Sequence, residues 1–476
     1  MKRKLLYFFL VLIAMTHFSC KKQLDAPPKN AKVDITAITD QKTAQIALNG
    51  VYYRLADVNS DNVTDWTTHQ VWGGMLTGML GYGLGALQDE SNNNVNSSYS
   101  GQVWTENYLI INAANGVIRG VNSLPDNVFT NNRKKEILAE SRFLRAYADF
   151  KLLIYFAEWY KPSSPYGVLL RDELSTLSNI PKARSSVADS YKFILDDLDY
   201  AIANAPESNP KYYATKWAAM ALKMRVLICR GQGQDFTEVI NLGNAIIQSG
   251  NYSLEGNLKD LFYSKGLSSK EVILGIKPQP NQEAFYYILS RAYYPIQSSL
   301  FVAKQKFKDV LQNDPRSTWM IGPATPYQAY SPNTYYFTKY IAYGASTSQL
   351  TETSYAFRLS EVYLLTAEAT IRSGGSLSTA KALIDTVMAH AGVTDFSAVD
   401  NTNTPADLLL QNFYEIERNL SGEDGIEWMA LLRLPFATVE QLKPSITNQI
   451  QYIFPIPSDE FQHNPAIGDQ NPGYSK

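Results

Sequence analysis

Three residues at alternating spacing, Asp57, Asn59 and Asp61, match the first ligand positions of a calcium-binding EF-hand loop, and Asn62 could take its left-handed turn. The twelfth position is Thr68, so the bidentate carboxylate is missing and the stretch reads as a solvated turn. Gly81, Gly83 and Ala86, with Gly85 beside them, have the spacing of a dinucleotide-binding turn. No strand period precedes them and no helical period follows, so they read as a flexible loop. The acid pairs Glu361 with Glu368 and Glu415 with Glu417 could in principle hydrolyse a glycoside. They lie on strongly periodic helices, where charges form a solvated face or pair with neighbours such as Arg358 or Arg418. The 4 histidines, His17, His69, His390 and His463, have no ligand spacing for zinc. No segment gathers acid, base and oxyanion donors, so neither an enzyme nor a cofactor or metal is expected.

Aromatic residues offer a different chemistry. The chain has 31 Tyr and 7 Trp, whose apolar faces and polar edges suit core, interface and ligand platform alike. Two irregular stretches, 59–102 and 254–353, hold Trp66, Trp72, Tyr82, Tyr293, Tyr294, Trp319, Tyr327 and Tyr330. Binding residues concentrate in loops on a rigid scaffold, so these eight are the candidate ligand-binding residues, with Asn92, Asn93 or Asn94 as hydrogen-bonding partners. The alternative is that they pack the loops together or meet a protein partner.

Helices must supply the scaffold. Ala44, Ala47, Leu48, Val51 and Leu55 recur at helical spacing after Asp40, a possible N-cap. Further helical segments run over about Arg133–Phe156, Val187–Ala205, Ala214–Arg230, Phe236–Ser249, Tyr355–Ser373, Leu377–Ala391 and Ala406–Leu420. Consecutive amphipathic helices with short links pack antiparallel, and these lengths suit degenerate tetratricopeptide-like pairs. Tyr147 and Trp217 fall in these segments and Trp104 and Trp428 in other framework stretches; all four are expected to be structural.

The amino terminus places the chain outside the cytoplasm. Lys2, Arg3 and Lys4 precede an apolar run from Leu5 to Met15, too short to span a bilayer, and the pattern is that of a secretory signal. Ser19–Cys20 resembles a lipobox, with His17 where leucine is usual, so residues 1–19 are read as a lipoprotein signal and Cys20 as the acylated first residue. Residues 20–39, with Pro27 and Pro28, read as a tether. The other cysteine, Cys229, is expected to be a small buried hydrophobe. A net charge of -2 with no basic block after the signal gives no footprint for nucleic acid.

Three stretches resemble the SusD/RagB family of Bacteroidota outer-membrane lipoproteins: Ile137–Trp159, Phe357–Gly374 with Arg358, Glu361 and Ala367-Glu368-Ala369, and Ile453–Tyr474 with its Pro-Ile-Pro and closing Gln-Asn-Pro-Gly-Tyr. Trp104–Val121 is similar as well. The acidic-Gly-Arg-Trp region is altered: Glu417, Arg418, Asp424, Gly425, Trp428 and Arg433 keep it in outline, while Glu427 stands where arginine is usual and Ala430 where aspartate is usual. The resemblance implies a mainly α, tetratricopeptide-like fold with an irregular ligand-facing lobe, an N-terminal region over 40–235 and a C-terminal region over 236–476. It also implies an outer-membrane, lipid-anchored protein facing the cell exterior. Such a protein captures oligosaccharide and delivers it to a SusC-like TonB-dependent transporter; the alternatives are peptide import and a surface glycosidase.

Overall fold

The computed structural model describes residues 37–56, 69–92, 97–277, 300–325, 332–342, 344 and 354–476. The signal, Cys20, Asp57, Asn59 and Asp61 lie outside them.

Helix α1 (Gln41–Ala56) starts where Asp40 Oδ1 accepts the Thr43 N–H at 2.8 Å, the cap its sequence calls for. The short α2 (Trp72–Thr77) and strand β1 (Leu80–Tyr82) interrupt a stretch read as loop, and α3 (Ser98–Asn122) follows. Helix α4 (Arg133–Phe156) is buried at every residue from Phe143 onward, so it forms the central rod of the body. In sequence order α5 (Val187–Asn204) packs on it, α6 (Lys216–Arg230) on α5, and α7 (Asp235–Gln248) on α6. Ser186 and Thr215 cap α5 and α6, and Gly231 ends α6 in the left-handed conformation.

Two small sheets break the helical order. Strand β2 (Val272–Ile276) pairs antiparallel with β6 (Ser354–Arg358), so the first turns expected of a helix from Tyr355 are extended instead. All five β6 residues are buried, and such a short apolar run does not distinguish strand from helix by period. The second sheet has the order β1-β3-β5-β4, built from β3 (Phe301–Lys304), β4 (Ile321–Ala324) and β5 (Thr334–Phe337), with Tyr82 opposite Phe301 and Lys304 opposite Thr334. Helix α8 (Gln305–Val310) continues directly from β3.

The body closes with α9 (Leu359–Arg372), α10 (Leu377–His390), α11 (Pro405–Leu420), α12 (Ile426–Leu432) and α13 (Phe436–Leu442). One large core joins the helices and holds Trp104, Tyr147 and Trp428, with Trp217 packed half-buried at its margin; Cys229 is buried within it. A smaller core, with Met75, Phe262, Phe307, Trp319, Phe337 and Tyr340, fills the lobe built on the second sheet.

Candidate functional site

Chemistry-bearing side chains in the body are consumed by one another. Asp424, with φ 56°, accepts the Tyr147 hydroxyl at 2.6 Å, Arg225 Nη1 at 2.6 Å and Lys151 Nζ at 2.7 Å, and its carboxylate lies 3.3 Å from His69 Nδ1. Burial pushes this carboxyl up, but Lys151, His69 and Arg225 overcome it and hold Asp424 well below the usual carboxylate range. Beside it, Arg225 pairs with Glu361, Arg358 with Glu271 and Glu423, and Lys339 with Glu423 at 2.5 Å. Glu368 meets Arg433 at 2.6 Å, and Glu415 meets Arg316 at 2.6 Å.

The acid pairs considered for hydrolysis are therefore buried, and none forms the solvated face expected of a periodic helix. Glu361 has Arg225 as its partner, not Arg358, while the Arg418 guanidinium donates to the Val310 carbonyl. Glu361, Glu368 and Glu415 are locked in buried ion pairs and Glu417 is fully buried with its nearest cation 3.9 Å away, so none of the four can flank a sugar ring. Among the described residues no three His, Cys, Asp or Glu side chains are placed to hold a metal ion.

Three of the candidate ligand residues are corrected or refined by position. Trp72 is fully buried: its ring lies 4.5 Å from Tyr155 and 5.1 Å from Phe454, and its Nε1–H donates to Asp89 at 3.1 Å. Because its one polar group finds a buried acceptor, the indole needs no water and serves as core. Trp319 is buried too, with its ring 5.8 Å from Phe262 and 5.7 Å from Tyr263 under the sheet. Asn92 is likewise internal, its side chain donating to the Leu76 carbonyl at 3.2 Å and accepting from the Ser445 hydroxyl at 2.7 Å. Tyr82 alone of the described candidates is half-buried and keeps surface. Trp66, Tyr293, Tyr294, Tyr327, Tyr330, Asn93 and Asn94 lie outside the described residues.

Tyr82 sits at an apolar edge that the sequence did not advertise. Its ring meets Phe301 edge-on at 6.3 Å, and Tyr99 from α3 meets the same ring at 6.4 Å. Leu84 (43%) and Leu300 (40%) stand exposed beside it, joined where Gly83 N–H donates to the Leu300 carbonyl at 2.8 Å. Glu90 fixes the turn by accepting the Tyr82 N–H at 2.8 Å and the Leu87 N–H at 3.1 Å. The Lys304 ammonium lies 3.4 Å from Glu90 and donates to the Tyr82 carbonyl at 3.0 Å. A Cβ at Gly81 would stand 2.0 Å from Lys304, which explains the glycine that resembled a nucleotide motif. Proximity of 300 to 83 is a long-range fact, and no local pattern could have revealed it.

A second concavity, of about 440 Å³ including its open mouth, lies between α1, α3 and α4, with Arg54, His69, Asn107, Tyr147 and Lys151 among its walls and Trp72 at its floor. Tyr147 and Lys151 face it while bound to Asp424, so much of its polar lining is already engaged.

This mainly helical fold with two small sheets is shared with solved SusD superfamily structures. The model described as SusD-like, starch-binding associating with outer membrane, matches residues 24–228, and the SusD family model matches residues 250–431. The chain belongs to the SusD/RagB family. A SusD-like protein of Bacteroides ovatus is 24% identical over 298 residues, which span 59% of this chain and 50% of that protein, so the match covers about half the length of the curated relative. A SusD superfamily crystal structure from Bacteroides thetaiotaomicron superposes with TM-score 0.74 at 20% identity, covering 91% of this chain and 100% of that one. A structure titled laminarin binding SusD-like protein gives TM-score 0.71 at 20% identity, covering 92% and 100% of the two chains.

Proposed function

We propose that this chain is a lipid-anchored protein of the outer cell surface that captures oligosaccharide and hands it to a SusC-like TonB-dependent transporter. The observation that supports capture most directly is the edge of Tyr82, Tyr99, Leu84 and Leu300, an exposed apolar surface on a rigidly braced sheet. Flat aromatic faces pack against the CH faces of sugar rings, and neighbouring polar groups satisfy hydroxyls. Trp66, Tyr293, Tyr294, Tyr327 and Tyr330 are proposed as further ligand-binding residues. The protein acts by binding and carries out no turnover, in keeping with acids that are tied up as buried ion pairs. Relatives support the ligand class: one matched model is described as starch-binding, and one structural neighbour is titled laminarin binding.

The test is retardation of the mature protein in native gels containing laminarin or starch, alongside recovery of a TonB-dependent transporter with the tagged, membrane-extracted protein. Retardation by a glycan together with transporter recovery is the expected result. Binding to peptides but to no glycan, or release of reducing sugar by the purified protein, would overturn the assignment.

A further inference from the structure

We propose that Glu417 and Glu427 form a buried proton-binding pair at the joint between the helical body and the small sheet, and that loss of its protons loosens the sheet's attachment. Both side chains are fully buried. Neither Glu417 carboxyl oxygen has a hydrogen-bond partner among the described residues, and of the Glu427 oxygens Oε1 accepts the Gly422 N–H at 3.0 Å while Oε2 has none. An ionised carboxylate left in that condition pays a heavy desolvation penalty, whereas a protonated one does not.

The nearest cation is already engaged. Lys306, in the first turn of α8, donates to the Thr77 carbonyl at 2.9 Å and the Leu442 carbonyl at 3.1 Å, while its ammonium stands 3.9 Å from Glu417 Oε1. Those three contacts tie α8, and with it β3, to the end of α2, to α13 and to α11. The other charged or titratable groups facing the pair are Arg418 and Tyr414 toward Glu417, and Lys339, Glu423, Lys151 and Tyr155 toward Glu427. Lys443 stands near Lys306, and burial together with the Lys306 charge pushes its ammonium down to about 8. Of the cations, Arg418 is spent on Val310, Lys339 on Glu423 and Lys151 on Asp424.

Burial pushes both carboxyls up, Glu417 and Glu427 each to about 7, and the Glu427 charge adds to the rise at Glu417. The folded values exceed the unfolded ones, so between about pH 4.5 and 7 the folded state holds protons that the unfolded state has lost. Stability from this pair is therefore full at low pH and declines as pH rises through 7. Because α8 and β3 hang on the Lys306 contacts, the decline is felt at the sheet.

The experiment is a carboxyl NMR titration of the mature protein labelled at glutamate Cδ, which leaves the buried Asp149 silent, in wild type, E417Q and E427Q. Hydrogen exchange of residues 301–310, corrected for intrinsic rates, is read in the same three proteins. Two glutamate signals titrating near neutrality, one lost in each variant, are expected. Protection of 301–310 should fall about ten-fold per group between about pH 6 and pH 8 in wild type and less in each variant. No glutamate signal titrating above about pH 6, or the same pH dependence of protection in all three proteins, overturns the proposal. If a variant fails to fold, the wild-type hydrogen exchange decides: protection of 301–310 that does not fall between about pH 6 and pH 8 overturns the proposal, and neither readout depends on a ligand.

Discussion

Tyr82 and Trp72 are ten residues apart in one glycine-rich stretch, yet they have opposite tasks. Trp72→Ala removes a fully buried ring and one of the two donors to Asp89 Oδ1, leaving Ser97, so it should cost about 3 to 5 kcal/mol and lower the melting temperature of the whole protein. Tyr82→Ala trims a half-buried ring at an edge and should leave melting nearly unchanged while weakening glycan binding; an equal loss of stability in both would show that Tyr82 is core. Acid sensitivity belongs to this scale as well. Burial pushes Glu368 up, but Arg433 and Arg372 overcome it and hold the carboxyl at about 2. Its folded value lies below the unfolded one, so its contribution, of order 3 kcal/mol, is present above about pH 4.5 and lost as pH falls toward 2. Glu368→Gln should lower stability at pH 7 and flatten the acid limb of the melting profile; an unchanged limb would refute the pairing.

Among the elements, most long helices were legible because their apolar positions recur over several turns, and the boundaries of α4, Arg133–Phe156, coincide with the period read from sequence; α3 was not, and its first turn lies in the stretch read as irregular. The strands were not. β1 has three residues and β3 four, too few for a period, and their pairing joins positions more than two hundred residues apart. The same distance hid the fate of the acids: Arg225 and Glu361 are separated by 136 residues, so the helical face that seemed solvated is buried against another helix. Aromatics in irregular, polar sequence suggested exposure, but Trp72 packs into the core of the body and Trp319 into the core of the lobe. Glu90 is the element's hinge pin: Glu90→Ala leaves the Tyr82 and Leu87 N–H groups without their acceptor, at a cost of about 1 to 3 kcal/mol. Hydrogen exchange over 80–88 should accelerate in that variant while α4 stays protected; uniform acceleration would mean that the turn has no separate role.

At the scale of the whole molecule, a stiff helical body presents a small sheet, and the amino terminus is proposed to hold the assembly on the membrane through Cys20. One acyl chain anchors only marginally, at about 0.8 kcal/mol per buried CH₂, so the multiply acylated cysteine of a lipoprotein is required. Cys20→Ala should move the protein to the soluble fraction; retention in membranes of a strain lacking the transporter would contradict the anchor. The central claim is glycan capture at the Tyr82 edge. Calorimetric titration of laminarin-derived and starch-derived oligosaccharides into wild-type protein and Tyr82→Ala tests it most directly. The account predicts saturable binding to wild type for at least one glycan class and at least about ten-fold weaker binding to the variant at unchanged melting temperature, a loss of about 1.4 kcal/mol. Equal affinity in the two proteins, or no heat with any glycan, would contradict it.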